Sequence, residues 1–230
     1  MTRFDDEVED RGAPTRARLA LYGGVRLALL GFAKVWFRLR VEGADRVPRE
    51  GAFILAPTHR SNLDFLLVLA CTRRRMRFLG KSSLWRSGTS GLFYALGGIP
   101  VHRGTADREA LRTCVRTIRS GEPLVIFPEG ARQMGPTVTD LFDGPTYVQA
   151  QTGVPIVPVG IGGSEPAMPK GARFPLPRKV VVVVGEPMPA LQVEGSVARR
   201  SAVRQQSATL HDDLQQLFDE AQRSAGTPNP

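Results

Sequence analysis

Apolar and polar residues are distributed along this chain in two kinds of segment that follow one another. Short apolar runs bounded by Gly or Pro predict buried strands, at residues 51–58, 76–80, 99–103, 123–130, 154–161 and 179–188. Longer segments of helical pattern or composition lie between them, at residues 61–73, 83–98, 105–121, 143–153 and 197–222. Because strands and helices alternate, the predicted fold class is α/β, with a mostly parallel sheet flanked by helices.

A further helix is predicted over residues 16–40, where Leu, Phe and Trp36 are interspersed with Arg26, Lys34 and Arg38. The cations leave no run of the roughly 18 to 20 apolar residues that a membrane span needs, so we expect no crossing of a bilayer. The composition is typical of an amphipathic helix in a membrane interface, with cations among the headgroup phosphates. An ordinary helix packed on the core is the alternative, and the glycines within the segment weaken either helix.

Composition and these elements together predict a single folded domain with an appendage. A chain of 230 residues with 42% hydrophobic content can bury a full core. We therefore predict an N-terminal tail and membrane-docking amphipathic helix over 1–41, an α/β domain over 42–224, and a disordered tail over 225–230. Acidic residues occupy positions where a secretory signal would be basic and apolar. The expected location is the cytoplasmic face of the cell membrane, as a peripheral (monotopic) protein.

The charge balance indicates a negatively charged partner. The chain has 31 Lys and Arg against 22 Asp and Glu, a formal charge of +9. Nucleic acid, anionic lipid, a phosphorylated substrate or simply a basic solvated surface would each account for this excess. Cys71 and Cys114 stand outside any C-x-x-C pair or His cluster, so neither a disulfide framework nor a metal site is expected.

His59 and Asp64 are the first candidates for chemistry. His59 falls in the predicted turn between a strand and a helix, and turns at the carboxyl ends of strands build the sites of α/β sheets. A neutral imidazole can accept a proton, and a carboxylate on its second nitrogen fixes the tautomer. The alternative is that Asp64 favours a helix N-terminus and His59 is an ordinary turn residue. The pair alone does not decide between these.

Four short sequence blocks, in this order along the chain, give a more specific match than His59 and Asp64 alone. "HRSNLD" at 59–64 resembles the H-x4-D signature of the glycerolipid acyltransferases, the lysophosphatidate acyltransferase family. "GGIPVHRG" at 97–104 resembles the second block of that family, "FPEGARQ" at 127–133 the third, and "VPIVPVGI" at 154–161 the fourth. Lys81 matches a lysine common between the first two blocks.

The resemblance implies a reaction. A fatty acyl group would pass from a thioester of coenzyme A or acyl carrier protein to the hydroxyl of a lysophosphatidate-like glycerolipid, in phospholipid biosynthesis. His59 would be the general base, Asp64 would orient it, and no acyl-enzyme would form. No metal or cofactor is implied. Glycerol 3-phosphate or another lysophospholipid is an alternative acceptor, and a catalytically silent protein that docks on an anionic membrane surface is a further alternative.

Substrate binding is implied for the remaining block residues. Forked donors from Arg103 and Arg132, with the Lys81 ammonium, would hold the acceptor phosphate, although each of these cations is otherwise an ordinary surface charge. Glu129 and Gly130 would present a carboxylate and a turn to the polar end of the acceptor. The third block departs from the family pattern at two positions that usually carry small hydroxyl residues, Ala131 and Gln133. These departures put the acceptor's identity in doubt.

Motifs of the rival enzyme classes are missing. No serine lies in a G-x-S-x-G elbow, and the phosphate-binding patterns G-x-x-x-x-G-K-[ST] and G-x-G-x-x-G do not occur. A nucleic-acid-binding module would account for the charge but not for the four blocks, so we expect no nucleic-acid partner.

Overall fold

The computed structural model describes residues 16–81, 97–101, 107–191 and 196–229. Its strands form one sheet; they are β1 (Arg40–Glu42), β2 (Ile54–Pro57), β3 (Arg77–Lys81), β4 (Gly98–Val101), β5 (Leu124–Val125), β6 (Ile156–Gly162) and β7 (Val181–Val184). Its helices are α1 (Arg16–Trp36), α2 (Asp64–Leu67), α3 (Asp107–Arg119), α4 (Gly144–Thr152), α5 (Ser164–Ala167) and α6 (Ser196–Ala225), with 3-10 turns at Ala44–Arg46 and Val68–Ala70.

The sheet has the order β1-β7-β6-β2-β5-β3-β4, and only the β6–β7 pairing among these strands is antiparallel. The α/β fold class with a mostly parallel sheet is therefore confirmed. Every residue of β2, β6 and β7 is buried. Such strands are covered on both faces, which explains why they are continuous apolar runs in the sequence.

Successive side chains of the central strands enter two different layers of the core. Leu55 of β2 packs with α1 and α2, whereas Ile54 and Ala56 pack with α3, α4 and α6. This alternation follows from the pleat of a strand, which sends neighbouring side chains to opposite faces. We call these layers the α1 layer and the α6 layer.

Two glycines allow α6 to approach the sheet closely. A Cβ at Gly160 would fall on the backbone of Leu217, and one at Gly162 on the backbone of Ala221. Any larger residue at either position would push α6 away from β6.

Several elements differ from the sequence-based predictions. The helix expected over 61–73 is the short α2 followed by the 3-10 turn Val68–Ala70, and the strand expected over 123–130 is paired only at Leu124–Val125. The helix expected over 83–98 lies outside the described residues up to 96, and Gly98 begins β4.

Within the segment expected to be a disordered tail, the Thr227 amide donates to the Gln222 carbonyl and Asn229 donates to Asp219. These hydrogen bonds fold the segment back onto α6.

Helix α1 packs one side on the α1 layer and leaves the other side exposed. Tyr22 and Ala33 are buried, and the Arg26 guanidinium donates to the carbonyls of Leu69 and Thr72 at 3.0 and 2.8 Å. Arg26 therefore points into the protein rather than towards a headgroup layer. The outer side carries large exposed apolar residues, namely Leu19, Leu21, Leu27, Phe32, Val35 and Trp36.

By length and composition, the stretch Leu19–Trp36 is sufficient to cross a membrane. The expectation that its cations exclude a span is corrected on this point, since only Arg26 and Lys34 interrupt the stretch. Core helices and signal sequences satisfy the same criterion, so this is weak evidence for membrane association.

Candidate active site

The turn that carries His59 is anchored to the centre of the sheet. It follows β2, which lies between β6 and β5. The Thr58 amide donates to the Val159 carbonyl at 3.0 Å, and the Thr58 hydroxyl accepts from the Ile161 amide at 3.0 Å. His59 thus lies at the carboxyl end of a central parallel strand, and α/β sheets form their sites at these strand ends.

His59 and Asp64 are hydrogen-bonded, as the family resemblance implied. Nδ1 of His59 lies 3.0 Å from Oδ2 of Asp64, whose side chain is fully buried. The same carboxylate oxygen accepts from the backbone amides of Arg60 at 2.6 Å and Ser61 at 2.7 Å. Three donors on one oxygen fix the position of the carboxylate and so the plane of the imidazole ring.

This arrangement leaves one ring nitrogen of His59 available. A proton on Nδ1 satisfies Asp64, so Nε2 carries the lone pair. Within the described ranges Nε2 has no hydrogen-bond partner, and 19% of the His59 side chain is exposed. The ring packs against Phe127, with centroids 4.2 Å apart. The geometry is that of a positioned base with an open acceptor atom.

The third block holds the backbone of His59 from both sides. The His59 amide donates to Oε2 of Glu129 at 2.8 Å, and the His59 carbonyl accepts from the Gln133 amide at 2.9 Å. The segment 127–133 therefore positions His59, a contribution that block order alone does not reveal.

Glu129 occupies the interior, which corrects the expectation that its carboxylate faces the acceptor. Its side chain is fully buried, and both carboxylate oxygens accept from Nη1 of Arg60, at 2.7 and 2.8 Å. The hydroxyl and amide of Thr139 also lie 3.4 Å from Oε1. A carboxylate so enclosed orients neighbouring groups rather than binding a ligand.

Arg60 is a residue that the sequence analysis missed. Its side chain is 1% exposed; besides Glu129 it donates to the carbonyls of Thr137 and His59, and its guanidinium lies 4.7 Å from the centre of the Phe218 ring. The available signal was a cation inside a turn between a buried strand and an apolar helix. The partner lies 69 residues away, so no local spacing could identify it.

The other predicted substrate-binding residues differ in how exposed they are and in where they lie on the sheet. Gly130 is exposed and has a φ of 66°, and a Cβ there would come within 2.7 Å of the Phe142 ring. Arg132 is half-buried and has no hydrogen bond or ion pair with another described residue. Lys81 is the last residue of β3 and pairs with Val101 of β4, so it lies at the carboxyl ends of the strands, as His59 does. Arg103 lies outside the described residues.

Comparison with known proteins identifies the family. Residues 38–162, more than half of the chain, match the family model described as Acyltransferase. The chain belongs to the acyltransferase family. The matched range contains all four blocks, so the resemblance drawn from those blocks is confirmed.

Named relatives and a solved structure agree with this assignment. A chloroplastic 1-acyl-sn-glycerol-3-phosphate acyltransferase of Arabidopsis thaliana is 24% identical over 153 residues, covering 61% of this chain and 43% of the relative. The mouse 1-acyl-sn-glycerol-3-phosphate acyltransferase alpha is 29% identical over 178 residues, covering 74% of this chain and 61% of the relative. An uncharacterized Mycobacterium tuberculosis protein is 30% identical over 166 residues, covering 63% of this chain and 43% of the relative. This chain therefore spans less than half the length of two of these relatives.

The fold is also that of a crystallised acyltransferase. The 1-acyl-sn-glycerophosphate acyltransferase of Thermotoga maritima superposes with a TM-score of 0.65 over 92% of this chain and 89% of that protein, at 24% identity. At this level of identity the likeness establishes a shared fold.

Proposed function

We propose that this protein transfers a fatty acyl group from acyl-CoA or acyl carrier protein to the hydroxyl of a lysophosphatidate-like glycerolipid, in phospholipid biosynthesis. The observation that carries the proposal is the His59–Asp64 pair, with Nδ1 of His59 bound to a buried carboxylate and Nε2 open at the edge of the sheet. The names of the relatives supply the substrate class, because they act on 1-acyl-sn-glycerol 3-phosphate.

In the proposed mechanism, the acceptor hydroxyl gives its proton to Nε2 of His59 while its oxygen attacks the thioester carbonyl carbon. The tetrahedral adduct collapses as the carbon–sulfur bond breaks, and the departing thiolate takes the proton from the imidazolium. Asp64 stabilises the imidazolium that exists between these steps. Proton and acyl group are both accounted for without a covalent enzyme intermediate.

The acceptor phosphate is assigned to the cations at this edge of the sheet. Arg132 supports the assignment because it is half-buried, has no partner among the described residues and follows the turn at Gly130. Lys81 and Arg103 complete the proposed set by their place in the sequence. Arginine suits this task because its planar guanidinium donates two parallel hydrogen bonds to a phosphate.

The proposed location is the cytoplasmic face of the cell membrane, with the protein bound peripherally. A lysophospholipid acceptor and the diacylated product both reside in the bilayer, so a site held at the interface meets its substrate there. The support is the outer side of α1, where Leu21, Leu27 and Val35 are exposed. Such a face gains free energy when it enters the acyl-chain region.

The decisive experiment is a substrate matrix. Purified protein is incubated with lysophosphatidate, glycerol 3-phosphate and other lysophospholipids, each with acyl-CoA and with acyl carrier protein as donor. We expect acylation of lysophosphatidate that is lost in His59→Ala. Acylation of glycerol 3-phosphate alone would reassign the acceptor, and no product from any pair would contradict the proposal.

A further inference from the structure

The loop between α5 and β7 exposes large apolar residues next to the end of α1. Phe174 is 81% exposed and Leu176 is 48% exposed. Nε1 of Trp36 donates to the Pro175 carbonyl at 3.2 Å, so the loop and the helix meet. Trp36 in turn stacks with Phe32, with ring centroids 5.8 Å apart. We call this surface the aromatic patch; it consists of Phe32, Val35, Trp36, Phe174 and Leu176.

The two segments that form the aromatic patch carry charges of one sign. Residues 19–41 and 166–185 contain no Asp or Glu. The exposed charged residues of these segments include Lys34, Arg38, Lys170, Arg173 and Arg178. Exposed aromatics in segments whose exposed charges are all cationic complement an anionic lipid surface, because the rings enter the acyl boundary while the cations reach the headgroup phosphates.

The same loop is joined to the catalytic turn. The Ser61 hydroxyl, within the first block, donates to the Met168 carbonyl at 2.9 Å. The Leu176 amide donates to the Ala167 carbonyl at 2.7 Å, which closes the loop at its base. The segment from Met168 to Phe174 therefore connects the His59 turn directly to the aromatic patch.

We propose that the loop 169–178 is a second membrane contact, which docks on an anionic bilayer together with the C-terminal end of α1 and holds the His59 turn at the lipid surface. The proposal rests on the proposed function, since it names the surface from which that site takes its acceptor. It assigns a membrane role to a loop outside α1 and outside the four blocks. With contacts at two separate elements, the bilayer fixes the orientation of the domain as well as its attachment.

Vesicle binding tests the loop directly. The probe is phosphatidylcholine vesicles with and without phosphatidylglycerol, and binding is measured by sedimentation. Phe174→Asp with Leu176→Asp should weaken binding to the anionic vesicles by about tenfold or more, because two apolar side chains lose their burial among the acyl chains and two charges take their place. Phe174→Ala alone should weaken binding by a smaller factor in the same direction.

A matched control carries the same added charge on the opposite face. Gln205→Asp with Gln216→Asp changes two exposed residues of α6 and should bind nearly as well as the unmodified protein. His59→Ala should also bind normally, so the binding result stands apart from acylation. A water-soluble, short-chain acceptor should be acylated equally by the Phe174→Asp, Leu176→Asp protein and the unmodified protein.

Two outcomes would overturn the proposal. One is equal vesicle binding by the loop variant and the α6 control. The other is a dimer of the unmodified protein that the loop variant dissociates, with no vesicle binding by either, since the aromatic patch would then bind a second copy of the chain. Absence of acylation with the soluble acceptor in every protein would instead contradict the proposed function and leave the binding result intact.

Discussion

The ring and the backbone of His59 are held by two segments of the chain, the turn to Asp64 and the third block. Its ring contacts Asp64 and Phe127, its amide contacts Glu129, and its carbonyl contacts Gln133. A base positioned by packing and by several hydrogen bonds needs little reorganisation before proton transfer. At the scale of the residue, activity is therefore expected to depend on side chains that never touch substrate.

The first prediction concerns the proposed base, His59. His59→Ala should lower kcat by about a thousandfold or more, because both proton transfers lose their carrier. Asp64→Asn should lower kcat by spoiling the tautomer and orientation of the ring. Acylation assays and thermal unfolding measure the two effects separately. A well-folded His59→Ala protein that retained most activity would disprove the mechanism.

The buried ion pair gives the second prediction. Glu129→Gln alone, or Arg60→Met alone, leaves one buried charge without its partner and should destabilise the protein by about 3–5 kcal/mol. The double variant removes both charges, so its loss should be smaller than the sum of the single losses. Urea unfolding of the three variants measures this coupling. Additive losses would mean that the pair contributes no mutual stabilisation.

Arg132 is the subject of the third prediction. Arg132→Ala should raise the KM for the acceptor about tenfold while kcat changes little, because a phosphate charged equally before and during attack is held equally in both states. Arg204→Ala, at an exposed position of α6, is the matched control. An acceptor KM that is the same in both variants would assign Arg132 to another task.

At the scale of the element, α1 shows why composition alone left its role open. The helix is continuous over 21 residues despite its glycines, and the Cβ positions of Gly23, Gly24 and Gly31 face open space. Arg26, one of the cations that suggested a headgroup layer, instead satisfies two carbonyls in the turn after α2. The proposed membrane contact of α1 thus rests on its outer apolar side chains.

The fourth prediction tests that outer side. Leu21→Asp with Leu27→Asp changes two exposed residues, so the fold should persist while the protein moves from anionic vesicles to the soluble fraction. Salt should weaken binding of the unmodified protein without abolishing it, since only the electrostatic part is screened. Leu30 is unsuitable for this test because it packs against the core. Unchanged sedimentation of the variant would show that α1 is purely structural.

At the scale of the whole molecule, a thiol reports on each layer of the core. Cys71 is buried in the α1 layer and Cys114 in the α6 layer, and neither is in a disulfide. Burial raises the pKa of each thiol to about 12, from a usual value of 9.0. The folded protein therefore keeps both protons in a pH range where the unfolded chain loses them.

A pH dependence of stability follows, and it is the fifth prediction. The stability that these thiols contribute is complete below pH 9 and declines as pH rises from 9 towards 12, because the unfolded chain then binds fewer protons. At pH 10 the two thiols together should lower the free energy of unfolding by about 3 kcal/mol relative to pH 8. Denaturant unfolding of Cys71→Ala with Cys114→Ala should show a correspondingly smaller loss between these pH values. Equal losses of stability in the unmodified protein and the double variant would show that the buried thiols do not cause this pH dependence.

Much of this architecture follows from local sequence. Buried parallel strands have to be apolar on both faces, so β6 and β7 are readable as runs such as the valines of 180–184. The spacing of His59 and Asp64 places a carboxylate at the start of α2, within reach of the turn before it. These predictions succeed because they depend on neighbours only a few residues apart.

Other features were decided only when distant segments came together. Glu129 reads as a ligand-binding carboxylate in its block, yet it is buried because Arg60 meets it from a turn 69 residues away. The antiparallel pairing of β6 with β7 and the aromatic patch likewise depend on where the chain returns across the sheet. By itself the sequence determined the alternation of elements and the closeness of His59 to Asp64, because periodicity and short spacing are local properties. The tertiary structure decided which charges are enclosed and which apolar residues face outwards, because burial depends on every segment that packs against a residue.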